Sequence, residues 1–126
     1  MLQETNRLRV RLPGHTDLAR VELELNLTST QLPSWGALVE TYDEVRDAIE
    51  AIETITAFRC EEHAPTLAQV LDMEAKYLAV RLGSVRRLHG AVAKLGRVLT
   101  PRQRIHADRL LAICFRDLGY APHRSS

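Results

Sequence analysis

At 126 residues, the chain is sized for one domain with a modest core. Apolar residues make up 45% and aromatics only 5%, so the apolar share is mostly aliphatic, a balance suited to helix packing rather than to a sheet sandwich. A net charge of +1 gives no global attraction for nucleic acid, and no apolar run of about 18 residues offers a membrane span.

Residues 1–14 read as a flexible arm closing at Pro13-Gly14. Met1–Arg11 carries three arginines and lacks the apolar core of a signal peptide, which leaves a cytosolic protein or one whose signal has been removed. Cys60 and Cys114 fit either compartment. A single helical domain is expected over residues 15–119, followed by a tail at 120–126. Asp17 can cap a short first helix over 18–26, with Leu18, Val21 and Leu25 on one face and Leu23 off it.

Leu27, Thr28, Ser29, Thr30 and Gln31 then spell L-T-x-x-Q. A threonine hydroxyl can accept from the backbone N–H three residues on, while the glutamine there reaches back to the threonine's own N–H. This reciprocal capping box starts a helix. Leu27 and Leu32 occupy the positions of a hydrophobic staple. Pro33 is awkward at the fifth helical position, where it removes a hydrogen bond, so the chain is expected to make a kinked turn and restart near Pro33. From there Trp35, Leu38, Tyr42, Val45, Ile49 and Ile52 alternate by three and four, an a/d seam on a helix running to about Arg59.

Ala64-Pro65 breaks the pattern. A third helix is expected from about Thr66 to Val98, roughly 50 Å long at ~1.5 Å per residue. Leu71, Leu78, Val85, Val92 and Leu99 recur every seven residues, and Leu67, Leu82, Leu88 and Leu95 widen the stripe, most of which is expected to be core. Gly83, Gly90 and Gly96 permit close approach of another helix or mark a bend, and at least one bend or fray is expected. Leu99, Thr100, Pro101, Arg102 and Gln103 repeat L-T-x-x-Q, with Pro101 well placed at the first helical position. The last helix runs over 101–118 with Ala107, Leu111, Cys114 and Leu118 inward, and Gly119 stops it.

Charge is segregated. Glu40 to Glu74 holds ten acidic and two basic residues, and Lys76 to Arg116 holds ten basic residues and one acidic, Asp108. An antiparallel pairing of the second and third helices sets these stretches opposite each other, and that match selects register and orientation. A basic stripe for an anionic partner is the alternative.

The chemistry on offer is sparse. Cys60 and His63 stand one helical turn apart with Glu61 and Glu62 between them, all of them possible Zn²⁺ ligands, but two such residues do not make a site and a solvated turn is the competing reading. The other histidines show no metal-sensor spacing. Nucleophile elbow, P-loop and dinucleotide fingerprints are absent. Trp35 reads as a core anchor, with partner contact the alternative. Asp108 reads as an ion-pair or packing residue. Cys114 reads as a small buried hydrophobe, and a disulfide between it and Cys60 is left open.

The segment Leu25-Asn26-Leu27-Thr28-Ser29-Thr30-Gln31-Leu32-Pro33-Ser34-Trp35, with the second motif continuing through Ala107-Asp108-Arg109-Leu110-Leu111, resembles the LTxxQ-motif (Spy/CpxP-like) periplasmic stress family over about residues 15–118. The resemblance implies an all-α fold of four helices with a long antiparallel helical hairpin, paired as a homodimer. It implies a non-enzymatic protein of the bacterial envelope that binds unfolded or signalling proteins, as an ATP-independent chaperone or as an adaptor. It implies no cofactor and marks Leu27, Thr28, Gln31, Trp35, Leu99, Thr100 and Gln103 as structural positions. Family relatives that bind zinc or sense nickel and cobalt keep a metal-responsive role open, with Cys60 and His63 its weak candidates. A cytosolic helical partner protein is the third reading.

Overall fold

The computed structural model describes residues 15–62 and 64–120. The expected arm over 1–14 and the expected tail beyond Tyr120 fall outside these residues. Among the described residues there are four helices and no strand: α1 (His15–Leu25), α2 (Leu32–Glu62), α3 (Leu67–Val98) and α4 (Pro101–Arg116). The chain is all-α, as its aliphatic composition predicts.

Each boundary has a local cause. α1 ends where Asn26 takes a left-handed φ of 55°, a conformation that asparagine tolerates at a helix C-terminus. The turn at 28–31 follows, with the N–H groups of Gln31 and Leu32 both donating to the Thr28 carbonyl at 3.0 and 3.1 Å. The helix proper starts at Leu32, which puts Pro33 in its first turn, where a missing N–H costs nothing. α3 starts from Thr66, whose hydroxyl accepts from Gln69 N–H at 3.1 Å while Gln69 Oε1 accepts from Thr66 N–H at 2.9 Å. α4 starts from Thr100 with the same box closed by Gln103. It ends in a Schellman motif: Gly119 has φ 89°, Gly119 N–H reaches the Arg116 carbonyl at 2.9 Å, and Tyr120 N–H reaches that of Phe115 at 3.1 Å.

α2 and α3 form an antiparallel hairpin. Cross-helix contacts fix its register: Arg87 pairs with Glu44, and Tyr77 Oη donates to Glu53 at 3.3 Å. α1 and α4 pack on each other and on the open end of the hairpin. The core they enclose combines Leu18, Val21 and Leu25 of α1, the α2 seam from Trp35 to Ile49, Leu88, Ala91 and Leu95 of α3, and Ala107, Leu111 and Cys114 of α4. Tyr42 lies at its centre, fully buried, with its ring 5.7 Å from that of Phe115 and its hydroxyl donating to the Cys114 carbonyl at 3.3 Å.

The core stops halfway along the hairpin. From Glu50 to Gly83 no described side chain is buried. The reason is length: at ~1.5 Å per residue, α1 and α4 reach roughly 16 and 24 Å, whereas α2 and α3 extend almost 50 Å. This corrects the expectation that most of the seven-residue stripe is core. Leu88, Leu95 and Leu99 are buried, but Leu67, Leu71, Leu78, Leu82 and Val85 are exposed. α3 runs uninterrupted from Leu67 to Val98, and the glycines do not serve close helix approach: a Cβ added at Gly83, Gly90 or Gly96 would meet open space rather than a neighbouring backbone.

Candidate functional site

The two L-T-x-x-Q segments lie 72 residues apart in sequence and touch in space. Gln31 Nε2 donates to Gln103 Oε1 at 2.8 Å, and Gln103 Nε2 donates back to Gln31 Oε1 at 3.2 Å. Each amide completes itself with backbone. Gln31 Nε2 also donates to the carbonyl of Val98, the last residue of α3, at 2.8 Å, and Gln103 Nε2 to that of Leu25, the last residue of α1, at 3.1 Å. The two Oε1 atoms accept from Thr28 N–H and Thr100 N–H, both at 2.9 Å. Every donor and acceptor position of both amides is filled. The orphan carbonyls of two helix C-termini are thus satisfied by the glutamines that open the two other helices.

The clasp changes the meaning of the motif. At Thr100–Gln103 the capping box is complete, with the Thr100 hydroxyl accepting from Gln103 N–H at 3.1 Å. At Thr28–Gln31 only the glutamine arm forms, and the Thr28 hydroxyl instead lies 3.1 Å from that of Thr30. α2 starts four residues after Thr28, so Thr28 opens a turn rather than capping a helix. Leu27 packs partly buried against the core and Leu99 is buried, but Leu32 is exposed, which leaves the expected staple unformed. Trp35 is buried, and its indole Nε1 donates to Glu22 Oε1 at 2.9 Å, tying α2 to α1.

At the other end of the molecule large apolar side chains are exposed. Leu71 is 60% exposed, Phe58 58% and Leu78 54%, accompanied by Ile55, Leu67 and Leu82. Two grooves run along this half. One, of about 340 Å³, lies between α2, α3 and the residues after α4 and includes Tyr42, Glu50, Glu53, Tyr77, Arg81 and Leu118. The second, of about 360 Å³, continues past Glu53 and Tyr77 toward the connection, over Thr56, Ala57, Val70, Met73 and Cys60.

Arg81, which no sequence pattern singled out, closes the boundary between the covered and uncovered halves. Its Nη1 donates to the Leu118 carbonyl at 2.9 Å, and its guanidinium lies 4.4 Å from the centre of the Tyr120 ring, a cation–π stack. Tyr120 Oη donates back to the Arg81 carbonyl at 3.4 Å.

The metal candidates do not come together as a described site. Cys60 is exposed near the hairpin connection, and His63 lies outside the described residues. Among the described residues no group of three or more His, Cys, Asp or Glu could hold a metal ion. Cys114 is buried, and no disulfide joins it to Cys60. Asp108 is exposed on α4. No described helix is long and apolar enough to cross a membrane.

A helical hairpin clasped at one end by paired glutamines, with large apolar side chains exposed toward the other, defines an all-α protein of four helices. The chain belongs to the LTXXQ motif family, whose model matches residues 13–111. Comparison with curated proteins and with solved structures gives no match.

Proposed function

We propose that this protein is a non-enzymatic envelope-stress protein that holds unfolded or signalling proteins without ATP. The observation that supports this reading is the uncovered apolar half of the hairpin. Monomeric soluble proteins rarely leave contiguous apolar surface of this kind unless something binds there. Family membership supports it further, because the resemblance to Spy/CpxP-like proteins implies a periplasmic location and a chaperone or adaptor role.

The same surface supports a homodimer. Leu71, Leu78 and Val85 keep a seven-residue spacing on α3 and are exposed among the described residues. Such spacing is the signature of a helical partner, and a second copy supplies one. Holding of clients then falls to the grooves and to Ile55 and Phe58 at the far end of α2.

The test is suppression of aggregation. Light scattering of several chemically distinct clients, at one to a few equivalents of this protein and without nucleotide, is expected to fall. Ile55→Ser with Phe58→Ser is expected to weaken the effect while circular dichroism stays helical. Leu71→Ser with Leu78→Ser is expected to convert dimer to monomer in sedimentation equilibrium. Scattering unchanged for every client would overturn the holding reading, and a monomeric wild type at tens of micromolar would overturn the dimer.

A further inference from the structure

The geometry points to a preference: we infer that the groove on the distal hairpin seats cationic amphipathic segments. This rests on the holding reading above and names the class of client that the surface takes.

Three features carry the inference. The first is extent. The two grooves adjoin at Glu53 and Tyr77, whose hydrogen bond bridges α2 and α3 there, and lie end to end as a two-part channel from Tyr42 to Cys60 along α2. At ~1.5 Å per residue this stretch measures roughly 27 Å, enough for about eight extended residues or five helical turns. The second is the floor. Ala57, Val70, Met73 and the Tyr77 ring give an apolar bed, and methionine adapts to differing side chains.

The third is the rim. Glu50, Glu53 and Glu74 line the channel. Tyr77 Oη donates to Glu53, whereas among the described residues Glu50 and Glu74 make no ion pair. The cations nearby are already engaged. Arg46 lies 3.6 Å from Asp43 and 3.8 Å from Asp47, Lys76 lies 3.0 Å from Asp72, and Arg81 is held by Leu118 and Tyr120. Between positions 50 and 74 the chain has six carboxylates and one arginine, Arg59. A ligand that places apolar side chains on the floor and Lys or Arg at the rim satisfies both. An equally apolar ligand bearing carboxylates meets like charge at Glu53 and Glu74 over the distal groove, whose lining has no cation. The groove therefore selects by charge as well as by hydrophobicity.

The experiment uses the full chain and two fluorescein-labelled 18-residue amphipathic peptides with the same leucine positions, one carrying lysines and the other glutamates. By fluorescence anisotropy at 20 mM salt, the Leu/Lys peptide is expected to bind at least tenfold more tightly. The gap should shrink several-fold at 0.5 M salt, as screening requires. Glu50→Lys with Glu74→Lys should reverse the preference, and Glu50→Gln with Glu74→Gln should reduce it without reversal. Both substitution pairs are on the surface, and circular dichroism checks that the variants fold. Equal binding of the two peptides, or a preference unchanged in the lysine variant, would overturn this inference while leaving the holding reading intact. Aggregation suppressed with neither peptide bound would also overturn it alone. Self-association altered by the lysine variant would show that a second copy fills the channel, and would overturn it too. Loss of both peptide binding and suppression would bring down the underlying reading.

Discussion

The amide clasp makes a quantitative prediction about stability. Gln31 is only 5% exposed and makes four hydrogen bonds: to Thr28, Val98 and both amide atoms of Gln103. A typical intramolecular hydrogen bond contributes about 1 kcal/mol net, and a buried group left unpaired costs about 1–3 kcal/mol. Gln31→Ala removes four bonds and strands the Val98 carbonyl, so a loss of about 2–4 kcal/mol is expected. Gln103→Ala strands the Leu25 carbonyl and should cost about 2–3 kcal/mol, the lower ceiling reflecting partial exposure. The two bonds between the glutamines are counted in both single variants, so the double variant should fall short of the sum by about 1–2 kcal/mol. Gln69 provides an internal control. It closes the same capping box with Thr66, but both of these bonds are local. Gln69→Ala should therefore cost only about 0.5–1 kcal/mol, the value of a cap. Urea denaturation followed by circular dichroism measures all four variants, compared by midpoint at constant slope. Additive single-variant losses, or a Gln69→Ala loss equal to that of Gln31→Ala, would refute the claim that the glutamines act as a pair.

Other outcomes follow from single positions. Gly83→Ala and Gly90→Ala each remove a poor helix former where a Cβ meets open space, so each should stabilise by about 0.5–1 kcal/mol in the same urea assay. Gly119→Ala should destabilise by about 1–2 kcal/mol, because φ is 89° and the new Cβ would lie 2.9 Å from Arg81 Nη2; an unchanged midpoint would argue against the Schellman stop. Cys60 should react with a maleimide at once in native protein and Cys114 only after unfolding, read by mass spectrometry, since one thiol is exposed and the other buried.

Much of the covered half was legible in the sequence. Trp35, Leu38, Tyr42, Val45 and Ile49 are buried because their three-and-four spacing keeps them on one face of α2, and periodicity reports faces directly. Ala107, Leu111, Cys114 and Leu118 behave alike. The uncovered half was misread for a physical reason. Spacing by seven says that Leu71, Leu78 and Val85 want a helical partner, but it does not say that the partner lies in the same chain. Helix lengths held the missing information: α1 and α4, with 11 and 16 residues, are too short to cover helices of 31 and 32. Arg81 left no signal, because an arginine on a basic helix looks solvated until the end of α4 is placed beside it.

The glutamines show where local reading stops. Capping boxes are visible in sequence because all their atoms lie within four residues. Thr66–Gln69 and Thr100–Gln103 are alike at that level, and both boxes form. What separates them is the second copy at Thr28–Gln31, which even lacks the hydroxyl arm. Gln31 earns its place through Val98 and Gln103, contacts 67 and 72 residues away. The repeat therefore marks two chain segments that must meet, and their meeting fixes the end of α1 to the start of α4 and the end of α3 to the turn before α2. With that end locked by hydrogen bonds and a closed core, the hairpin can extend its other half into solvent without unfolding. That division of labour is why the motif identifies the fold while the exposed apolar side chains from Ile55 to Leu78 lie more than 20 positions from either copy.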